Sequence, residues 1–540
     1  MVWIGRCVMA WVLLAACRAS WAQVDDATQA QRLRDAYGPY RANNDLLFYH
    51  LDIRVDPEAQ TIRGKNTIRF RMLQDGTRIQ IDLSAALQID KIVWNGAELK
   101  YTRDEGAVFL DFPQTLRAGQ VYAVDFYYSG HPVETGRFGC FTFRRDPAGW
   151  PWVTTACEEE GASLWWPNKD QWRDKPQDGM EISVEAPSGL VDVSNGRLES
   201  RRELGDGYTR WDWRVHYPIN NYDVALNIGD YVHFGGRLGA LTLDYYVLPE
   251  DLEKAKAQFA QVPEMLRAFQ HYFGPYPFAR DGYKLIEAPY AGMEHQSAVA
   301  YGNGFANGYL GRDWTGVGIS TRFDFIIVHE SAHEWFGNSV TAADRADMWI
   351  HEGWATYLES LYVEHRWGHG DALRYLGGLK PKIENKTPIV GTRDIGQEPQ
   401  EDQYFKGALL LNTLRSVVKD DAKWFAMVRG FYQYFAYKTI LTEDVERYFD
   451  AQSGKKLTPI FEEYLKHAAI PVLELRFHDG LVDYRWKAEE TEFAMPVKVG
   501  DPVHWQTITP TQAWQTMKSP LGRDAFQVAT DLYYLDVSKM

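Results

Sequence analysis

Between residues 45 and 235 apolar and polar positions alternate along the chain. In NTIRFRML, Ile68, Phe70 and Met72 stand against Thr67, Arg69 and Arg71. A period of two turns one face of a strand to a core and the other to solvent. Similar short runs are punctuated by Asn95-Gly96 and Asn195-Gly196, pairs that tolerate the positive φ of tight turns. The pattern predicts a large antiparallel β domain. Near residue 250 the period changes. In EDLEKAKAQFAQVPEMLRAFQHYFGPYPF, Phe259, Val262, Leu266, Phe269 and Phe273 recur at helical intervals, and Gly274-Pro275 ends the run. Pro263 predicts a kink inside it. Helical segments then dominate to Ala469, including 323–337, 349–365 and 404–418, before Pro471 stops the last. From VLELRF to the end alternation returns, as in a small β module. No internal repeat or low-complexity stretch interrupts this order.

The expected architecture is therefore multidomain α+β. An N-terminal β domain occupies 23–235, a mainly helical domain 236–470 and a small β module 471–540. A chain of 540 residues exceeds what one core organises. Hydrophobic content of 45% with 24% charged residues is that of a folded globular protein and excludes disorder. A net charge of -15 excludes nucleic acid as a partner, because nothing neutralises phosphates. The 20 Trp and 31 Tyr fit large aromatic cores or an aromatic-lined cleft.

The N-terminus, MVWIGRCVMAWVLLAACRASWAQ, places Arg6 before an apolar run of about ten residues, too short to span a bilayer. It reads as a secretory signal peptide over 1–22, with export to the periplasm or beyond. Ser20-Trp21-Ala22 before Gln23 fits an ordinary cleavage site. Leu14-Ala15-Ala16-Cys17 resembles a bacterial lipobox, which would leave a lipid anchor on Cys17. Beyond the leader only Cys140 and Cys157 remain. Export permits a disulfide between them, two separate buried thiols fit equally, and spacing does not choose.

HESAHEWFGN, residues 329–338, carries candidate chemistry. On a helix His329 and His333 lie one turn apart, offset by about 40° and about 6 Å, so both imidazoles reach one ion. Glu330 flanks the same face and can act on a water without being a ligand. A hydrolytic zinc site divides labour in this way: the metal lowers the water's pKa toward about 7 and the carboxylate takes the proton. Five-residue patterns also arise by chance, in about a few per cent of chains with this many histidines. A third ligand is therefore required. The metzincin pattern needs Gly at 336 and His at 339, where this chain has Phe336 and Ser339. Glu352, nineteen positions after His333 in DMWIHEGWATYLESLYVE, can return on an antiparallel helix and face the histidines. It also suits a helix's first turn for dipole reasons alone.

Together, H-E-x-x-H, WFGN directly after it and Glu352 within EGWATYLE resemble the zinc aminopeptidases related to aminopeptidase N and leukotriene hydrolase. APYAGMEHQSA, 288–298, resembles the family's Gly-x-Met-Glu-Asn exopeptidase motif, with His295 in place of Asn. The resemblance implies substrate-binding roles for Gly292, Met293 and Glu294, with Glu294 on the substrate's α-ammonium. TTACEEEGASLWWPNKD, 154–170, resembles the β-domain segment that reaches the active site. Its best register makes Glu158 a second amine anchor, and Glu159 and Glu160 leave that register open. EDQYFKGALLLNTL, 401–414, resembles the Tyr-x-Lys-Gly helix and puts Tyr404 on the catalytic tyrosine, which stabilises the oxyanion.

The resemblance further implies a thermolysin-like catalytic domain holding one zinc ion through His329, His333 and Glu352, with Glu330 as base. The reaction it implies is release of N-terminal amino acids from peptides with a free amine. Too few residues follow Ala469 for the large helical C-terminal domain of many relatives. Two rivals stand beside this reading. One is epoxide hydrolysis at the same zinc, which one relative performs. The other is a metal-free peptide-binding or structural exported protein, which has no need of ligands, base and tyrosine together.

Overall fold

A computed structural model describes residues 29–396 and 400–540; the leader peptide and Cys17 lie outside the described residues. In the N-terminal region an eight-stranded sheet is ordered 197–203, 208–215, 180–187, 44–56, 61–72, 121–130, 87–94, 97–98. A four-stranded sheet of 191–194, 226–229, 151–156 and 140–145 shares a buried core with it. The expected alternation is present in Thr61–Met72, where Ile68, Phe70 and Met72 are buried and Thr67, Arg69 and Arg71 are not.

Two details depart from the sequence reading. Strand Asn44–Asp56 pairs with Met180–Pro187 in parallel, whereas the alternation predicted an antiparallel domain. Side-chain period is two in both arrangements, so it does not report strand direction. Asn95-Gly96 closes a hairpin between 87–94 and 97–98 with φ of 51° and 80°. Asn195-Gly196, by contrast, links a strand of the smaller sheet to an edge strand of the larger one.

Cys140 and Cys157 form a disulfide. Cys140 opens one strand and pairs with Ala156 on its antiparallel neighbour, so the bridge fastens the start of the Glu158–Glu160 loop to the sheet.

The following region opens on a five-stranded sheet, ordered 232–238, 241–247, 283–287, 299–301, 292–293, and continues as helices. The run around Pro263 is two helices rather than one kinked helix: Leu252–Gln258 and Val262–Phe273 flank a short 3-10 turn. Pro263 sits in the first turn of the second helix, where its missing N–H costs nothing.

The histidine helix covers Phe325–Ala332, shorter than the expected 323–337. The Asp324 side chain caps it by accepting from the Ile327 N–H at 3.2 Å. His333 keeps helical angles at its C-cap, and Gly337 at φ 131° turns the chain away.

Helices Trp349–Trp367 and Asp402–Val418 pack at very short range where Gly353 meets Gly407. A Cβ on Gly407 would lie 2.9 Å from the Gly353 Cα. Only glycine at both positions lets these helices approach so closely.

The C-terminal strands form a four-stranded and a three-stranded sheet. Their apolar faces join the helical core: Leu473, Trp486 and Phe526 belong to the same buried cluster as Trp349 and Leu411. No helix among the described residues is long and apolar enough to cross a membrane.

Candidate active site

Every residue of the histidine helix is buried. A helix enclosed on all sides carries its polar groups into the interior, and here these are His329, Glu330 and Ser331. One turn apart, the two imidazoles stand edge to face at 4.9 Å and 84°, with Nε2 atoms 3.3 Å apart. Glu352, in the first turn of helix Trp349–Trp367, places Oε2 3.3 Å from His329 Nε2 and 3.4 Å from His333 Nε2. That oxygen is buried and accepts no hydrogen bond among the described residues.

Three lone-pair atoms thus form a nearly equilateral triangle. Ligands at 2.0–2.1 Å from a tetrahedral zinc are separated by about 3.3–3.4 Å, so the observed edges would fit such an ion, and all three residues line the cavity. Burial opposes charge on Glu352, yet the facing imidazoles hold its carboxyl well below the ordinary range. Despite burial, His333 is raised to about 9, chiefly by Glu352. The carboxylate thus stays charged and the imidazoles hold protons tightly, which a bound cation would displace.

Outer contacts fix the rings. His329 Nδ1 lies 2.6 Å from Glu359 Oε1, whose other oxygen accepts from the Tyr375 hydroxyl. His333 Nδ1 donates to the Phe336 carbonyl at 3.0 Å. With hydrogens on both Nδ1 atoms, both Nε2 lone pairs face inward. Of the polar residues that follow the histidines in sequence, Asp347 binds Arg393 and Thr442, Asp344 caps a short helix, and Asn338 donates to the Glu294 carbonyl at 2.6 Å. Glu359 lies seven residues after Glu352 and so returns to the same helical face.

Glu330 is held from the strand side by Gly292. A Cβ there would fall 2.6 Å from Glu330 Oε1 and 2.7 Å from Ile326 Cγ2, so only glycine lets the edge strand pass. Burial pushes the Glu330 carboxyl up to about 7 against the pull of His329; a cation beside it acts in the same sense as His329. Gly292→Ala is expected to push Glu330 aside and lower kcat at least about tenfold with zinc content unchanged. Steady-state rates and metal analysis check this.

The structure gathers the other sequence-predicted residues around the same cavity, whose lining includes Glu158, Gly292, Met293, Glu294 and Tyr404. The Tyr404 ring is 6.0 Å from that of His329, carried there by the Gly353–Gly407 approach. Glu294 follows the edge strand, and its Oε1 accepts from the Tyr222 hydroxyl at 3.2 Å. Carboxylate oxygens of Glu158 and Glu294 and a ring nitrogen of His351 lie within 4.8 Å of one another. Glu159 also lines the cavity, but one of its oxygens faces the Arg137 N–H; Glu160 is not among the lining residues. His295 is wholly buried, with neither ring nitrogen hydrogen-bonded among the described residues. Tyr309, Trp314, Phe325 and Phe405 form an aromatic wall. The aromatic excess therefore supplies both cores and a cleft.

Comparison with known proteins gives the same assignment from two parts of the chain. Residues 46–222 match the profile of the Peptidase M1 N-terminal domain and 258–464 that of the Peptidase family M1 domain. Endoplasmic reticulum aminopeptidase 1 of Rattus norvegicus is 24% identical over 428 residues, covering 74% of this chain and 45% of the relative. Aminopeptidase 2 of Candida albicans is 21% identical over 520 residues, covering 89% and 55%. The chain thus spans about half the length of the curated relatives it matches. Among solved structures, an M1 zinc metallopeptidase from Deinococcus radiodurans superposes with a TM-score of 0.66 at 21% identity, covering 79% of this chain and 94% of that one. A mutant of that protein bound to a Tyr-Ser-Ala substrate gives 0.67 at 21%, covering 81% and 98%. With both profiles matched in order and together spanning most of its length, the chain belongs to peptidase family M1.

Proposed function

We propose that the chain is a zinc aminopeptidase that removes N-terminal residues from peptides, with one zinc held by His329, His333 and Glu352. The observation that carries this reading is the triangle of ligand atoms with a carboxylate pair, Glu158 and Glu294, in the same cavity. Zinc bound there supplies Lewis acidity, which polarises the scissile carbonyl and lowers the pKa of an attacking water toward about 7.

The remaining work falls to side chains. Glu330 accepts the water's proton and returns it to the leaving nitrogen. Tyr404 donates a hydrogen bond to the oxyanion that develops on the carbonyl. Glu294 and Glu158 pair with the substrate's α-ammonium, so the cut falls one residue in. Gly292 and Met293 line the strand edge beside the bound peptide. The activity of the two curated aminopeptidases and the tripeptide held by the Deinococcus protein support this choice of substrate.

In the same reading the protein is exported. Its first 22 residues have the order of a signal peptide, and a disulfide suits an oxidising compartment. Lipidation at Cys17 belongs to the alternative processing route.

The exopeptidase half of the proposal rests on the ammonium. A peptide with a free N-terminus is expected to be hydrolysed at least about a hundredfold faster, in kcat/KM, than its N-acetylated form. Equal hydrolysis of the two would remove the aminopeptidase assignment and leave an endopeptidase.

A further inference from the structure

His351 stands next to Glu352 on the same helix, and one of its ring nitrogens approaches Glu158 and Glu294. It is wholly buried. Its Nε2 accepts a hydrogen bond from the Ala342 N–H at 2.8 Å, so that nitrogen bears no hydrogen and Nδ1 does. The ring stacks on Trp172 at 5.4 Å and 10°, and lies 6.5 Å from Tyr222, whose hydroxyl donates to Glu294. Nδ1 has no hydrogen-bond partner among the described residues. A buried donor without a partner is costly unless it is used, and one ring nitrogen of His351 lies within 4.8 Å of a carboxylate oxygen of Glu158 and of Glu294.

We propose that His351 is a positioning residue of the amine subsite, its Nδ1–H supporting the Glu158 and Glu294 carboxylates that receive the substrate's ammonium. The inference rests on the aminopeptidase reading. A neutral imidazole suits this task on physical grounds. It offers a hydrogen bond that holds neighbouring carboxylates in place, directly or through one water. It adds no positive charge to compete with the ammonium, as a lysine or arginine at the same place would. The Ala342 N–H fixes the tautomer, and Trp172 and Tyr222 fix the plane of the ring. Residues from both family domains thereby build one subsite: Glu158, Trp172 and Tyr222 from the first, Glu294 and His351 from the second.

Three substitutions separate this role from packing. His351→Asn keeps a donor near Nδ1, His351→Gln keeps an acceptor near Nε2, and His351→Phe keeps the aromatic stack. Steady-state constants are measured on an alanyl arylamide and its N-acetyl form at matched zinc content, with melting midpoints recorded alongside. Binding of free alanine is measured by calorimetry. The Gln and Phe variants are expected to raise KM for the free-amine substrate and Kd for alanine about tenfold, with kcat within about threefold of wild type. The Asn variant should stay within about threefold in all three quantities. Any other ranking overturns the proposal, whether Phe keeps the wild-type KM, all three variants behave alike, or kcat falls alone. If wild type itself treats the free and acetylated substrates equally, the aminopeptidase reading is what has failed.

Discussion

Glu330→Gln is expected to lower kcat about a thousandfold while leaving zinc stoichiometric and KM within a few fold. The substitution keeps shape and volume, so the close approach to Gly292 is preserved. What it removes is the ability to accept a proton. The two nearest carboxylates are otherwise engaged: Glu352 faces both imidazoles, and Glu294 is held at its carbonyl by Asn338 and at its side chain by Tyr222. The pH dependence supplies a second readout. A general base works only when deprotonated, so wild-type kcat/KM should fall as pH drops through the Glu330 pKa. Burial pushes that value up to about 7 and the bound cation lowers it, which places the acid limb below neutrality. The variant should lack this limb. A Glu330→Gln protein with more than about a tenth of wild-type kcat is incompatible with the assigned role.

Glu352→Ala is expected to weaken zinc binding at least about a hundredfold, since loss of a mere outer-shell partner costs 10–100-fold. His329 and His333 remain oriented by Glu359 and the Phe336 carbonyl, so the variant should fold and keep a two-nitrogen site of low affinity. Dialysis against a competing chelator followed by metal analysis would read the difference, and activity should track residual zinc. Full zinc retention after such dialysis would mean that Glu352 is not a ligand and that the triangle is coincidental.

What the sequence disclosed about this site depended on how local each relation was. His329, Glu330 and His333 lie within five residues, and helical geometry alone predicted their convergence. Glu352 required a helix pair, and its placement followed from the spacing of the loop between. Glu359 was overlooked although it repeats the face of Glu352 after two turns, while the Phe336 carbonyl carries no side-chain signal at all. Asn338, close to the imidazoles in sequence, serves Glu294 instead. His351 drew no notice because its relation to Glu158, Trp172 and Tyr222 crosses from one domain to another, far from any local period.

The fold followed the same division. Alternation in Thr61–Met72 marked a strand and its buried face, but not that its neighbour Asn44–Asp56 also takes a parallel partner. Apolar spacing marked helix 323–337, yet Gly337 and the turn of the chain ended it at Ala332. Pro263 was weighed as a kink because periodicity ran through it; two short helices in succession produce the same spacing. The C-terminal strands form small sheets of their own, as alternation predicts, and their apolar faces adjoin the core of the helical region. Periodicity reports which face is buried and is silent about what buries it.

The most direct test of the metal site is a crystal of the purified protein measured on both sides of the zinc absorption edge. One anomalous peak is predicted, 2.0–2.2 Å from His329 Nε2, His333 Nε2 and one oxygen of Glu352. A crystal with no zinc peak between the two histidines, or with Glu352 turned away from the ion, would contradict the account.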